Sequence, residues 1–246
     1  HFRFALPKEF GGKDGSHLAM ACIREHLAAK GLGLHNDLQN ESSIVGNLVQ
    51  PLMVRDFGTP EQKARFLPRM AAGDDVWAQA WSEPGAGSDL ARIKTRAERH
   101  GNGWKINGQK TFITNGQNAD VVVTACVTDP TKGAKGISMI VIEAGMEGFK
   151  KGRNLHKIGQ HANDTAELFF EDVVVPAENL LGQEGHGFFY MMDKLAQERL
   201  TLSVHTQARA EAVLEWTIAY VKERNAFGQR VIDFQNTRFK LAEMKT

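Results

Sequence analysis

Asp120-Val121-Val122-Val123-Thr124-Ala125-Cys126-Val127-Thr128 is a valine-rich apolar run, and it predicts a strand. Gly136 to Glu143 and Ala166 to Val175 repeat its composition in valine, isoleucine and phenylalanine. Upstream, Val76 to Trp81 reads as a strand. Trp104-Lys105-Ile106 and Lys110-Thr111-Phe112-Ile113 flank Asn107-Gly108, a hairpin-turn signal. The intervals between these segments are short and hold no long helix. That spacing predicts an antiparallel barrel or sandwich rather than a parallel sheet built from strand–helix–strand units.

On both sides the period changes to that of helices. Ser16 to Lys30 carries Leu18, Cys22, Ile23 and Leu27 on one side, with Gly31 as a stop. Glu41 to Val54 places Ile44, Val45, Leu48, Val49 and Leu52 at helical spacing. Thr59-Pro60-Glu61-Gln62 is a capping-box start, with Pro68 expected to bend or restart the helix that follows. From about Glu184 helix returns and runs to about Val221. Asn225-Ala226-Phe227-Gly228 reads as a turn, and a last helix starts near Asp233. The expected class is α+β multidomain: an N-terminal helical domain over 1–75, a middle antiparallel β-domain over 76–183, and the first helices of a C-terminal bundle over 184–246. The first residue is His1 and the last, Thr246, falls within helical sequence, so both ends read as cut.

The 246 residues are 42% hydrophobic and 24% charged, with a formal net charge of +1. This is a globular composition without the basic field that nucleic-acid binding requires. No apolar run approaches the roughly 18 residues of a membrane span. Cys22 and Cys126 form no C-x-x-C pair, which reads as a reduced compartment. The nine histidines lack paired ligand spacing, so no metal site is expected.

Glu198 stands out chemically. Met191, Leu195, Glu198 and Leu202 are spaced i, i+4, i+7 and i+11 and share one helix face. A carboxylate among apolar neighbours holds its proton more tightly, which suits a general base near neutral pH. A structural ion pair is the competing reading. The loop Ser82-Glu83-Pro84-Gly85-Ala86-Gly87-Ser88-Asp89 follows a strand directly. Its glycines allow close backbone approach to a ligand and its N–H groups can hold anionic oxygens, although a plain turn explains it equally well. Leu90 stands where a dinucleotide fingerprint needs its third glycine. Phe112 and Thr114 could flank a flat heteroaromatic ring and hydrogen-bond its edge, or be a core phenylalanine and a turn threonine. Arg224, in Lys222-Glu223-Arg224-Asn225-Ala226-Phe227-Gly228-Gln229-Arg230, could pair with phosphate or complement a helix dipole.

In order and spacing, Trp81 to Asp89, Gly108 to Gly116, Asp164 to Val173, Gln197-Glu198-Arg199-Leu200 and Glu223 to Gly228 together resemble the acyl-CoA dehydrogenase family. Gly152 to Gly159 and Gln197-Glu198-Arg199 resemble its long-chain branch. The resemblance implies helical, β and four-helix-bundle domains in that order, and FAD as cofactor. It implies conversion of acyl-CoA to trans-2-enoyl-CoA in fatty-acid β-oxidation. A glutamate takes the α-proton while the β-hydrogen leaves as hydride to the flavin, and electrons then pass to an electron-transfer flavoprotein. By motif, Gln79, Trp81, Ser82, Gly87 and Ser88 should wrap the flavin, with Ser88 also by the substrate. Phe112 and Thr114 should flank the ring. Arg224, Phe227 and Gln235 should reach the FAD of a neighbouring subunit in a homotetramer or homodimer. Gln197 and Arg199 should line the acyl-CoA channel beside Glu198.

The family carries its catalytic glutamate either late in the bundle or in the motif that is Gln197-Glu198-Arg199 here. Members of the first kind usually lack a glutamate at the second place, so the resemblance makes Glu198 the expected base. Phe112 stands where many relatives have tryptophan. The resemblance also implies that most of the bundle is missing and that residues 1–246 alone are inactive. The compartment is expected to be cytoplasmic in a bacterium and the mitochondrial matrix in a eukaryote. An acyl-CoA oxidase or flavin monooxygenase on the same fold, or a non-catalytic scaffold, are the alternatives.

Overall fold

The computed structural model describes residues 3–31 and 48–246. The expected helix start at Glu41, with Ile44 and Val45, lies outside the described residues. The chain divides into two compact units, one formed by 1–17 and 40–199, the other by 18–39 and 200–246.

In the first unit, helices α2 (Gln50–Phe57) and α3 (Pro60–Ala72) precede the sheet. The capping box opening α3 is complete: Thr59 Oγ1 accepts from Gln62 N at 3.2 Å and Gln62 Oε1 accepts from Thr59 N at 3.0 Å. The break expected at Pro68 is absent. Phe66, Leu67, Met70 and Ala71 on either side of it are buried, and that packing carries the helix through the proline.

The sheet contains β1 (Trp77–Ala80), β2 (Arg96–His100), β3 (Gly103–Thr114), β4 (Val121–Val127), β5 (Ile137–Glu143), β6 (Phe149–Asn154), β7 (Thr165–Pro176) and β8 (Leu180–Leu181). Its order is β6-β7-β3-β2-β4-β5-β8, with β1 also paired to β4. The expected antiparallel pattern holds for most pairs, but the sheet is mixed. β1 runs parallel to β4, Trp77 opposite Val121 through Ala80 opposite Thr124, and β2 joins the same edge in parallel at Arg96 and Val127. A parallel pair needs a long crossover, and here it is a loop plus the β2–β3 hairpin rather than a helix.

Apart from Thr124, β4 is apolar because both its faces are buried. Val121, Val123 and Ala125 join Trp77, Met139 and Val141 in a core with Met53, Phe66 and Met70 of the helices. Val122 and Cys126 share a second core with Trp104, Ile106, Leu168 and Phe170, so the sheet curls β3 and β7 over β4 and β5.

Asn107-Gly108 is not a hairpin turn. β3 continues through it, with a register shift against β7 between Ile106 and Gly108. Asn107 Nδ2 donates to Asp172 Oδ1 at 2.9 Å, and Asp172 N donates to Asn107 Oδ1 at 2.8 Å, which pins the bulge. The β2–β3 turn is instead Gly101-Asn102, between the paired His100 and Gly103, with Gly101 at φ +55°. Gly108 has φ +151°, and a Cβ there would lie 2.7 Å from Thr95 Cα. Gly108→Ala is therefore expected to lower stability by about 1–3 kcal/mol, read as a drop in the thermal unfolding midpoint of the full-length protein. An unchanged midpoint would show that Thr95 yields freely.

In the second unit, most of α1 (His17–Ala28) buries Met20, Arg24 and Ala28 rather than the expected Leu18 and Cys22, which are exposed. Burial lowers the Arg24 guanidinium to about 10. Helix α4 (Gly187–Glu223) starts in the first unit and continues into the second. It is followed by the short pair β9 (Asn225–Ala226) and β10 (Gln229–Arg230), then α5 (Gln235–Lys245).

Candidate functional site

Between β1 and β2 the chain leaves the sheet, and this excursion builds one wall of a cavity of about 220 Å³. Gln79 and Trp81 come from the end of β1, Ser82, Gly87 and Leu90 from the excursion, Phe112 and Thr114 from the end of β3, and Leu195 and Glu198 from α4. All lie in the first unit. The start of the excursion is tied to β3: Ser82 Oγ donates to Thr111 O at 2.6 Å, and Thr111 N donates to Ser82 O at 3.1 Å.

The loop is held by a buried ion pair. Lys110 Nζ lies 2.9 Å from Glu83 Oε1 and donates to Trp81 O at 2.9 Å. Glu83 also accepts the backbone N–H of Lys94 at 2.7 Å and of Thr95 at 2.9 Å. Burial alone would raise the Glu83 carboxyl, but the Lys110 charge and the hydrogen bonds from Lys110 and Thr95 outweigh it and hold the carboxyl below its usual range. Burial pulls the Lys110 ammonium down against the pull of Cys126 and Glu83. The Cys126 thiol is pushed up to about 12 by burial and stays protonated, so it is no nucleophile.

Phe112 is 68% exposed and sits at φ +60°, a strained conformation for an aromatic residue. Thr114, two residues on, is buried. Trp81 is buried, and its indole Nε1 has no hydrogen-bond partner among the described residues. An exposed aromatic face, two hydroxyl-bearing residues and an unspent indole donor suit a flat heteroaromatic ring with acceptor atoms on its edge.

Glu198 is half-buried and faces this cavity. Its Oε2 accepts from Gln79 Nε2 at 3.3 Å, and Gln79 Oε1 accepts from Gln50 Nε2 at 3.0 Å. Met191 is fully buried and Leu195 half-buried, but Leu202 is exposed, and Thr201 is the buried residue at that level of the helix. Gln50 is the residue that sequence reasoning passed over. The signal was available: it is a glutamine inside Leu48-Val49-Gln50-Pro51-Leu52-Met53-Val54, and a polar residue buried in such a run needs an explanation.

The remaining candidates are not cavity residues. Ser88 is exposed next to Gly87, and Gln197 and Arg199 flank Glu198 on α4 without lining the cavity. Arg224, Phe227 and Gln235 belong to the second unit. Arg224 follows α4, and Gln235 opens α5. Phe227 sits with Gly228 at the tip of the β9–β10 hairpin, at φ +52° and 98% exposed. Among the described residues no cluster of His, Cys, Asp and Glu is placed to hold a metal, and no helix is long and apolar enough to cross a membrane.

Three family descriptions match in succession: acyl-CoA dehydrogenase, N-terminal domain, over residues 1–74; middle domain, over 78–173; and C-terminal domain, over 185–246. The chain belongs to the acyl-CoA dehydrogenase family. Members of this family are oxidoreductases that bind FAD. The chain is 44% identical to the long-chain specific acyl-CoA dehydrogenase, mitochondrial, of Mus musculus, over 98% of its own length and 55% of that protein. An acyl-CoA dehydrogenase structure from Geobacillus kaustophilus superposes with TM-score 0.88 at 45% identity, covering 98% of this chain and 62% of that one. The butyryl-CoA dehydrogenase of Megasphaera elsdenii gives TM-score 0.89 at 35% identity, covering 99% and 63%. The chain thus spans about half the length of the curated acyl-CoA dehydrogenase it matches.

Proposed function

We propose that the protein catalyses FAD-dependent α,β-dehydrogenation of acyl-CoA thioesters to trans-2-enoyl-CoA, with Glu198 as the base. The observation that carries this reading is the placement of Glu198, an ionisable group, on the cavity that also presents Phe112, Thr114, Trp81 and Ser82. Bound there, FAD would supply the two-electron acceptor that amino-acid side chains lack.

The chain's own residues supply placement and proton transfer. The loop from Ser82 to Ser88, held by Lys110 and Glu83, brings backbone N–H groups and hydroxyls to the cofactor and the CoA side of the substrate. Phe112 and Thr114 flank the ring. A Glu198 carboxylate takes the α-proton of the thioester, and Leu195 and Leu90 keep water from it. Gln197 and Arg199 line the approach of the acyl-CoA. In the second unit, Arg224, Phe227 and Gln235 serve the FAD of a neighbouring subunit in a homo-oligomer, which accounts for an aromatic ring left bare at a hairpin tip. An electron-transfer flavoprotein is the proposed acceptor.

The test is anaerobic mixing of the full-length, FAD-loaded protein with a series of acyl-CoAs, following bleaching of the flavin absorbance. Bleaching is expected with medium or long straight chains. No bleaching with any acyl-CoA would overturn the reading, and rapid recolouring in air would move it to an oxygen-using oxidase.

A further inference from the structure

We propose that Gln50 and Gln79 form a positioning relay that orients the carboxylate of Glu198 for proton abstraction. This rests on the reading of Glu198 as base. A glutamine amide has a donor end and an acceptor end, and either can face a neighbour. Gln50 Nε2 donates to Gln79 Oε1 at 3.0 Å, which fixes the acceptor end of Gln79 away from the cavity. Its donor end, Nε2, is thereby left facing Glu198 Oε2 at 3.3 Å. Without Gln50 the Gln79 amide is free to turn over and set an oxygen against the carboxylate.

Packing alone does not account for Gln50. It is fully buried, and its Oε1 has no hydrogen-bond partner among the described residues. A buried acceptor without a donor costs stability, and an apolar side chain of the same size avoids that cost. Gln50 therefore contributes its donor end at the expense of its acceptor end, and that donor end reaches Glu198 through Gln79.

The other residues lining the cavity carry no charge. In the first unit, the other charged groups on Glu198's own helix are Asp193, Lys194 and Arg199, and on α2 they are Arg55 and Asp56. Lys194 is bonded to Asp56 and to Asp193, and Asp56 also to Arg55. An N–H donated to a carboxylate favours its charged form.

The test uses the full-length, FAD-loaded protein with Gln50→Leu and, separately, Gln79→Leu. Two readouts are taken. One is the titration of the Glu198 carboxylate by isotope-edited infrared spectroscopy, assigned by its loss in Glu198→Gln. The other is the pH profile of flavin bleaching by acyl-CoA. In both variants the titration midpoint should rise by about one pH unit. That shift lowers the bleaching rate about tenfold on the acid limb, with KM for acyl-CoA little changed. Gln50→Leu should melt no lower than the parent protein while showing this loss, which a purely structural glutamine would not do. A Glu198 titration that stays in place in both variants overturns the relay. If the parent protein bleaches with no acyl-CoA while the titration still moves in both variants, the relay stands and the dehydrogenation reading falls.

Discussion

Glu198→Gln is expected to slow flavin bleaching by acyl-CoA about 10²- to 10⁴-fold, the range over which a positioned general base accelerates proton transfer. Glutamine keeps the size of the side chain and an oxygen that can accept from Gln79, so the cavity retains its shape. It has no basic site for a proton. Acyl-CoA should therefore still bind within a small factor of the parent affinity, measured by the spectral perturbation of the oxidised flavin. The loss should fall on kcat, as it does when an interaction made in the transition state is removed. Bleaching that survives the substitution would place the base elsewhere and leave Glu198 as the acceptor of a structural hydrogen bond.

Lys110→Met should destabilise the protein by about 3–5 kcal/mol, because it leaves the Glu83 carboxylate buried without its countercharge. This rivals the whole stability of many domains. The paired change Lys110→Met with Glu83→Gln should recover most of the loss, since no charge then remains to be desolvated. Thermal unfolding of the three variants measures both effects, and equal midpoints for the parent and the single variant would dismiss the pair as a stabilising element. The pH dependence has a definite sign. Glu83 sits below its unfolded value in the folded protein, so its contribution is complete above the ordinary glutamate range, near 4.3. It is lost as the pH falls through that range and the lowered folded value. Because Glu83 also receives the N–H groups of Lys94 and Thr95, acid should loosen the whole 81–95 excursion, and FAD retention should decline over the same interval.

What the sequence made legible was local. The run at Val121 to Val127 announces a strand, and the capping box at Thr59 to Gln62 announces a helix start. Asn107-Gly108 misleads because a tight turn and a bulge ask for the same residues. The choice between them is made by Asp172, sixty-five residues away, whose backbone and side chain both bond Asn107. Parallel pairing of β1 with β4 is likewise invisible locally, since nothing in Trp77 to Ala80 names its partner. The chemistry-bearing residue types could be read one by one, but Gln79, Phe112 and Glu198 meet through strand adjacency and helix docking. Gln50 does not disturb the periodicity that marks its helix, so its only mark in the sequence is that it is a polar residue within an apolar run.

β1 and β2 are held independently on the same edge of β4, one by Trp77 to Ala80 and the other by Arg96. The excursion between them therefore hangs from two fixed posts. A residue gained or lost within Pro84 to Ser88 would change the lip of the cavity without transmitting a slip to either strand, whereas the same change inside β4 would turn every later side chain to the opposite face. The fold thus separates the part of the chain that can vary from the part that must keep count. Relatives with different ligand preferences can arise by rewriting the lip alone, on a sheet that does not have to be solved again.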